Sequence, residues 1–469
     1  MIINWDFMLD ISILGAALFF ATILRSKIKI LQKFMVPNNI LAGFLLLAIG
    51  TGGFGLIETS SERFGNYVYH LLAIVFIAMT LRKSENKSSK STFAMGLVMS
   101  VGTGIQTGIG LIIAYIFMQT LMPDLFPTFG YFLMLGFAQG PGQSYSLGKS
   151  WELSGFENAG DIGLTFAAVG YIWAALIGVL VIYYLKKKYY SKTHAGYTSS
   201  ENQKKGVIKE LKEQPSAGNL TTDTAAIDGF SFQIATVIFV YLLTFLFLKG
   251  LEKSLLSIND DSKIMHQLVN TAWGLHFIFA AFIAVLVKKI IYKLGWGNLL
   301  NNGLLTRISG VSLDFMVTAS IAAISIPVVI QYTGIILTMS TIGGLFTVYF
   351  VFHEIRRSGL NHPFERIAGL FGTLTGTLSS GLTLIRILDK DFTTNAAHDQ
   401  VFGAGIAAPF IAPLILSVIV PLLGMNTSNP DLYFLLTLGG IFIYISVLYF
   451  IWRRYTKVFK KKKEKPVLK

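Results

Sequence analysis

The sequence predicts an all-α polytopic membrane protein of about eleven transmembrane helices. Two inverted repeats of five spans, each holding one re-entrant hairpin, are followed by an extra C-terminal span. Three observations carry this expectation. Apolar residues make up 53% of the chain and charged residues only 14%, with a mean hydropathy of +0.60, a composition of membrane rather than soluble chains. The apolar stretches recur at span length, about 20 residues. Two segments in opposite halves interrupt that pattern: Gly136-Phe137-Ala138-Gln139-Gly140-Pro141-Gly142-Gln143-Ser144 and Gly372-Thr373-Leu374-Thr375-Gly376-Thr377-Leu378-Ser379-Ser380-Gly381. In lipid every backbone N–H and C=O needs a partner, so irregular backbone survives only where protein buries it or water fills a cavity. A corresponding pair of broken segments is the sequence signature of a secondary transporter's binding site.

In chain order the spans fall near 7–24, 38–57, 66–81, 93–121, 160–185, 230–250, 268–287, 308–330, 332–352, 401–423 and 432–452, with the hairpins at 128–149 and 365–386. Residues 1–189 form the first repeat and 230–425 the second. The polar stretch 190–229 reads as a flexible cytoplasmic linker, and 426–469 hold the extra span and a basic tail. Asp6 and Asp10 stand where a signal peptide needs basic residues, so the first apolar stretch reads as a retained span. An odd number of spans per repeat inserts the second half upside down, so the two hairpins enter from opposite sides. Gly136/Gly140 and Gly372/Gly376 are each GxxxG, and each pair precedes an Asp, Asp161 or Asp399, by 25 or 27 residues from the first Gly.

The net charge of +14 has a topological reading. With the N-terminus outside, the cytoplasmic segments carry 34 of the 39 Lys and Arg residues, as the positive-inside rule requires. The remaining five are Arg63, Lys149, Lys249, Lys253 and Lys263. Basic residues beside an anionic inner leaflet anchor helices to the lipid bilayer. No basic stripe on a soluble domain suggests a nucleic-acid partner. The chain has no Cys, which excludes disulfides, thiolate metal sites and cysteine nucleophiles. Neither a metalloprotease His spacing nor a nucleophile elbow is present, so the expectation is a protein that is not an enzyme and has no cofactor.

Broken helices present unpaired backbone N–H groups and a partial positive charge at their N-termini, which makes an anion site without buried side-chain charge. Gln139, Gly140, Gly142, Gln143, Ser144, Thr377, Ser379, Ser380 and Gly381 are therefore candidate substrate contacts. Arg386, about one turn further on, suits a second acid group; its plainer reading is an interfacial Arg that snorkels or pairs with Asp389. Ser146, Thr373, Thr375, Thr383 and Asp314 offer hard oxygens for Na+, the expected coupling ion. The plain alternative for all these small residues is close helix packing. Asp161 and Asp399 read as helix N-caps, with cation coordination or proton coupling as the second reading. His276 reads as a helix–helix hydrogen bonder or a proton relay, Gln106 as a residue facing the site, and Glu58 and Glu354 as interface markers.

Around both hairpins the chain resembles the bacterial sodium/glutamate symporter family. The resemblance is carried by Pro37-Asn38-Asn39-Ile40-Leu41-Ala42-Gly43-Phe44, by the two hairpins, and by Gly403-Ala404-Gly405 to Pro413, over most of residues 7–423. The family's first loop has a His and its second a Pro; here Gly140-Pro141-Gly142-Gln143-Ser144 has no His, and Ser379 and Ser380 stand near the place of the Pro. The resemblance implies a homodimer in a bacterial inner membrane, in which a hairpin-bearing core slides against a scaffold and carries glutamate or a related carboxylate with sodium. A proton-coupled carrier or an exporter of another organic anion remains the alternative. A channel or a membrane-embedded enzyme is a more distant one.

Overall fold

The computed structural model describes residues 5–464 apart from 35, 84–88, 186, 188–204, 209, 211–213, 215, 260–261, 390–393 and 426. The described residues form helices and loops, with no strand among them. The principal helices are α1 (Asp6–Lys27), α2 (Asn38–Ile49), α3 (Ser61–Leu81), α4 (Lys90–Thr120), α5 (Phe129–Gln139), α6 (Pro141–Glu152), α7 (Ala159–Leu185) and α8 (Gly229–Leu256). They continue with α9 (Lys263–Gly274), α10 (His276–Lys293), α11 (Asn302–Ala322), α12 (Thr333–Ser358), α13 (Pro363–Thr375), α14 (Leu378–Leu388), α15 (Asn395–Gly424) and α16 (Pro430–Glu464). Among the described residues nine helices are long and apolar enough to cross a membrane, and α9 with α10 make a tenth if counted as one span bent by 63°. The chain is an all-α polytopic membrane protein.

The span expected at 38–57 is a helix of only 12 residues, α2, about 18 Å long at 1.5 Å per residue. Gly50 to Gly55 end it in a tight turn: Gly53 and Gly55 donate to the Gly50 carbonyl and Phe54 to that of Ala48. Much of the linker expected at 190–229 lies outside the described residues, as does part of the basic tail.

The helices pack as two groups. One comprises α1 to α3 and α8 to α11, with α3 against α11, α2 against α11 and α10 against α3. A separate apolar cluster, including Ala73, Ile77, Val240, Ala280 and Leu305, lies within it. The other group centres on α4, of which 83% of the membrane-length window is buried; α12, α15, α16, the start of α5 and α13 pack on it, and α7 packs on the segments 129–152 and 363–388. Small residues allow this crowding: a Cβ on Gly110 would lie 2.0 Å from the Gly130 carbonyl oxygen. The last helix is anchored by Glu354, which is buried and accepts hydrogen bonds from Trp452 Nε1 at 2.7 Å and Tyr449 Oη at 3.1 Å. The sequence placed Glu354 at a span end as an interface marker; it instead holds α12 to α16.

The bend between α9 and α10 frees carbonyls that a straight helix would use. Tyr69 Oη donates to the Trp273 carbonyl at 2.8 Å and Ser146 Oγ to that of Gly274 at 2.6 Å. His276, at the bend, stacks on Tyr69 with ring centroids 3.8 Å apart and contacts its carbonyl through Nε2 at 3.0 Å. Its role here is helix-to-helix bonding, the plainer of its two sequence readings.

Candidate functional site: two hairpin tips that meet

Both interrupted segments fold as helix–break–helix hairpins, spanning 129–152 and 363–388. In the second, α13 and α14 run antiparallel: a Cβ on Gly372 would come within 2.8 Å of Gly381 Cα, and one on Gly369 within 2.5 Å of Ile385 Cδ1. In the first, Phe132 on α5 and Trp151 on α6 bring their rings to 5.1 Å. The first tip is the single residue Gly140, with φ +85° and ψ 179°, a conformation that L side chains rarely adopt. Pro141 then starts α6, where its missing N–H costs nothing. The second tip is Gly376, with φ −142° and ψ −99°, followed by the extended Thr377.

The tips meet. A Cβ on Gly140 would lie 3.0 Å from Thr377 Cγ2 and 3.8 Å from the Gly376 carbonyl oxygen. The hairpins reach this point from opposite ends of α4, a 31-residue helix about 46 Å long. Ser89 and Thr92, at its start, bond the carboxylate of Asp399, which pairs with Arg366 in the base of the second hairpin. Gln106, midway, donates to the Leu374 carbonyl at 2.7 Å, near the second tip. Gly110, further on, touches Gly130 in the first hairpin.

Helices α6 and α14 both begin at the tips, so two sets of first-turn amides, which have no intrahelical acceptor, lie at the meeting point. Several buried side-chain atoms around it have no hydrogen-bond partner: Gln143 Oε1 and Ser144 Oγ on α6 and Gln106 Oε1 on α4. Tyr171 lies beside Thr377, and a Cβ on its neighbour Gly170 would reach within 2.5 Å of the Thr375 carbonyl oxygen. Buried polar groups are normally satisfied, so this concentration makes the meeting point the candidate site.

The predicted residues divide into three sets. Gly140, Gln143, Ser144 and Thr377 lie at or within about a turn of the meeting point, and Gln139, partly exposed, closes α5 beside it. Others serve the hairpins themselves. Ser380 Oγ sits 2.7 Å from where a Gly376 Cβ would be, Gly381 packs on α13, Thr373 Oγ1 accepts from Gln400 Nε2 at 2.7 Å, and Thr375 Oγ1 donates to the Phe371 carbonyl at 2.8 Å. Gly142 meets the other helix group, where an added Cβ would lie 2.6 Å from Leu72 and 2.9 Å from Met316 Sδ. The third set lies outward. Ser379 and Arg386 are exposed, and Thr383 Oγ1 donates to the Ser379 carbonyl at 3.0 Å. Arg386 is nine residues beyond Thr377, about 14 Å along the helix. Asp314 is exposed on α11 and accepts from Asn39 Nδ2 at 2.8 Å. The five candidate sodium ligands share no hydrogen-bond partner, and no group of three or more His, Asp or Glu side chains comes together among the described residues.

Two expectations are corrected. Asp399 does not cap its helix; Thr394 does, and Asp399 sits one turn further in, 1% exposed, with Oδ2 2.7 Å from Arg366 Nη2. Asp161 occupies the third position of α7, after Asn158, so it too lies inside the first turn rather than at the cap. Sequence reasoning passed over Tyr171, Gln400 and Arg366. Tyr171 had a local signal, a polar side chain in an apolar segment next to Gly170; Gln400 and Arg366 had none of that kind. Comparison of the chain with models of known protein families, with curated proteins and with solved structures returns no match.

Proposed function

We propose that this protein is a secondary active transporter that carries glutamate or a related small carboxylate by sodium-coupled symport. The observation that carries the reading is the meeting of two hairpin tips, entering from opposite ends of α4, beside the unpartnered Gln143 Oε1 and Ser144 Oγ. Two helix N-termini aimed at one point favour a carboxylate through their amides and partial positive charge. Hydroxyl and carbonyl oxygens nearby suit a hard alkali cation. The packing also suits an elevator motion. The hairpin-bearing group touches the other helix group chiefly through α6 against α3, α9 and α11, and that seam is lined by small residues such as Gly142, Ser146 and Gly274.

Uptake of labelled glutamate into proteoliposomes, with an inward sodium gradient against an equal potassium control, tests this. Saturable, sodium-dependent accumulation is expected. Uptake driven equally by a proton gradient would favour the proton-coupled alternative. Absence of uptake of any carboxylate by folded, inserted protein would reject the transporter reading.

A further inference from the structure

At the base of the second hairpin, far from its tip, lies a cavity of about 490 Å³ whose lining includes Ser89, Lys90, Asn361, His362, Arg366 and Asn395. Three helices start at its wall: α4 at Lys90, α13 at Pro363 and α15 at Asn395. Each start contributes a partial positive charge of about one half and amides without intrahelical acceptors. One convergence of this kind is unremarkable in a helical protein, but here it coincides with Arg366. That side chain is 1% exposed; its Nη2 bonds Asp399 Oδ2 at 2.7 Å and its Nε the Asn361 carbonyl at 2.7 Å, while Nη1 has no partner. Asp399 in turn is saturated, its Oδ1 taking hydrogen bonds from Thr92 Oγ1 at 2.5 Å and Ser89 Oγ at 3.3 Å. The Arg366–Asp399 pair is therefore neutral as a unit yet still holds an unused guanidinium donor. Glu365 is buried in the first turn of α13, but Lys90 and the three helix ends leave a positive balance.

We propose that this cavity binds a phosphate-class oxyanion, either free inorganic phosphate or the phosphoryl group of an anionic lipid head. Donors arrive from three helix starts and from the one unused guanidinium nitrogen, Arg366 Nη1, and converging from several directions they match the tetrahedral spread of phosphoryl oxygens better than a planar carboxylate. Val458 and Phe459 of α16 complete the wall, so an anion here ties the hairpin base to α4, α15 and the final helix at once. This makes the site a regulator of the second hairpin's mobility, distinct from the tips.

The test uses the full chain purified in detergent. Its thermal unfolding midpoint is followed in inorganic phosphate against chloride at equal ionic strength, and in nanodiscs of phosphatidylcholine alone against nanodiscs that also contain phosphatidylglycerol, without phosphate. Lys90→Ala and His362→Ala, both at exposed positions, are each compared with their own ligand-free midpoint; Arg366 is left intact because its loss would strand Asp399. A saturable rise with phosphate, with the half-saturating concentration raised about tenfold by Lys90→Ala, is the expected result. A rise only with phosphatidylglycerol, lost in the same variant, identifies the lipid head as the source. Equal response to phosphate and chloride together with equal stability in both nanodiscs, or a wild-type response in both variants, overturns the proposal. None of these readings depends on transport.

Discussion

The first hairpin is buried along nearly all of α5 and α6, whereas the second leaves Ser379 and Arg386 exposed and Thr377 and Thr383 half-buried. Their surroundings differ in the same sense. Helix α6 packs on α7 and also on α3, α9 and α11, so it forms the seam between the two helix groups, while α13 and α14 pack chiefly on α4, α5, α7, α12 and α15 within one group. Their tips differ too: one residue with a positive φ in the first, and two residues of negative φ, of which Thr377 is extended, in the second. Similar compositions of Gly, Ser and Thr thus do different work. In the first hairpin small size permits close packing against two neighbours, and in the second it permits a close arm-to-arm fold with an accessible outer face.

Asp399→Asn gives the largest expected effect and probes what holds the second hairpin's base. It strands the buried Arg366 guanidinium, and breaking a buried pair on one side costs about 3–5 kcal/mol. Chemical unfolding of the purified protein should register a loss of that size; a loss no larger than for an exposed substitution would mean that the pair does not anchor the hairpin. Gly140→Ala comes next. Its φ of +85° and the 3.0 Å approach to Thr377 Cγ2 put strain of about 1–3 kcal/mol at the first tip. Uptake should fall well beyond any fall in yield, whereas Gly376→Ala, whose added Cβ meets only the Ser380 side chain and a carbonyl at 3.2 Å, should be milder. Equal effects would erase the distinction between the tips.

Gln143→Ala removes one of the unpartnered atoms. If the tips hold substrate, KM should rise about tenfold, the value of one hydrogen bond to a charged group, with the unfolding midpoint little changed. The reverse pattern would return Gln143 to a packing role. Ser146→Ala leaves the Gly274 carbonyl without its 2.6 Å donor and should cost about 1 kcal/mol of stability. Thr383→Val marks the bottom of the scale. Its hydroxyl bonds only its own helix, so stability and uptake should stay within about 0.5 kcal/mol of wild type. A large loss there would bring the outer face of the second hairpin into the site.

Much of this was legible in the sequence. Because lipid allows so few ways to satisfy a backbone, span-length apolar runs and the two Gly-rich interruptions located most of the helices and both interrupted segments, though not the shortness of α2 or the split of α9 from α10. The interruption at Gly140-Pro141 was readable as a helix restart, since Pro suits a first helical position and Gly a positive φ. Side-chain partnerships were not legible. Nothing local in Asp399 distinguishes a cap from the partner of Arg366, 33 positions earlier, and nothing in Glu354 announces Trp452, 98 positions later. The break at Leu275 was equally hidden, because the donors that tolerate it, Tyr69 and Ser146, come from other helices.

The sequence by itself therefore determined that the chain is helical and polytopic and where its backbone is interrupted, since those follow from hydropathy, period and the conformational limits of Gly and Pro. Only the tertiary structure decided that the tips touch, that Gln143 Oε1 and Ser144 Oγ remain unpartnered beside them, and that an Arg with an unused donor faces three helix starts. Those outcomes depend on which distant side chains arrive at the same place, and buried polar groups take whatever partner the packing brings within about 3 Å.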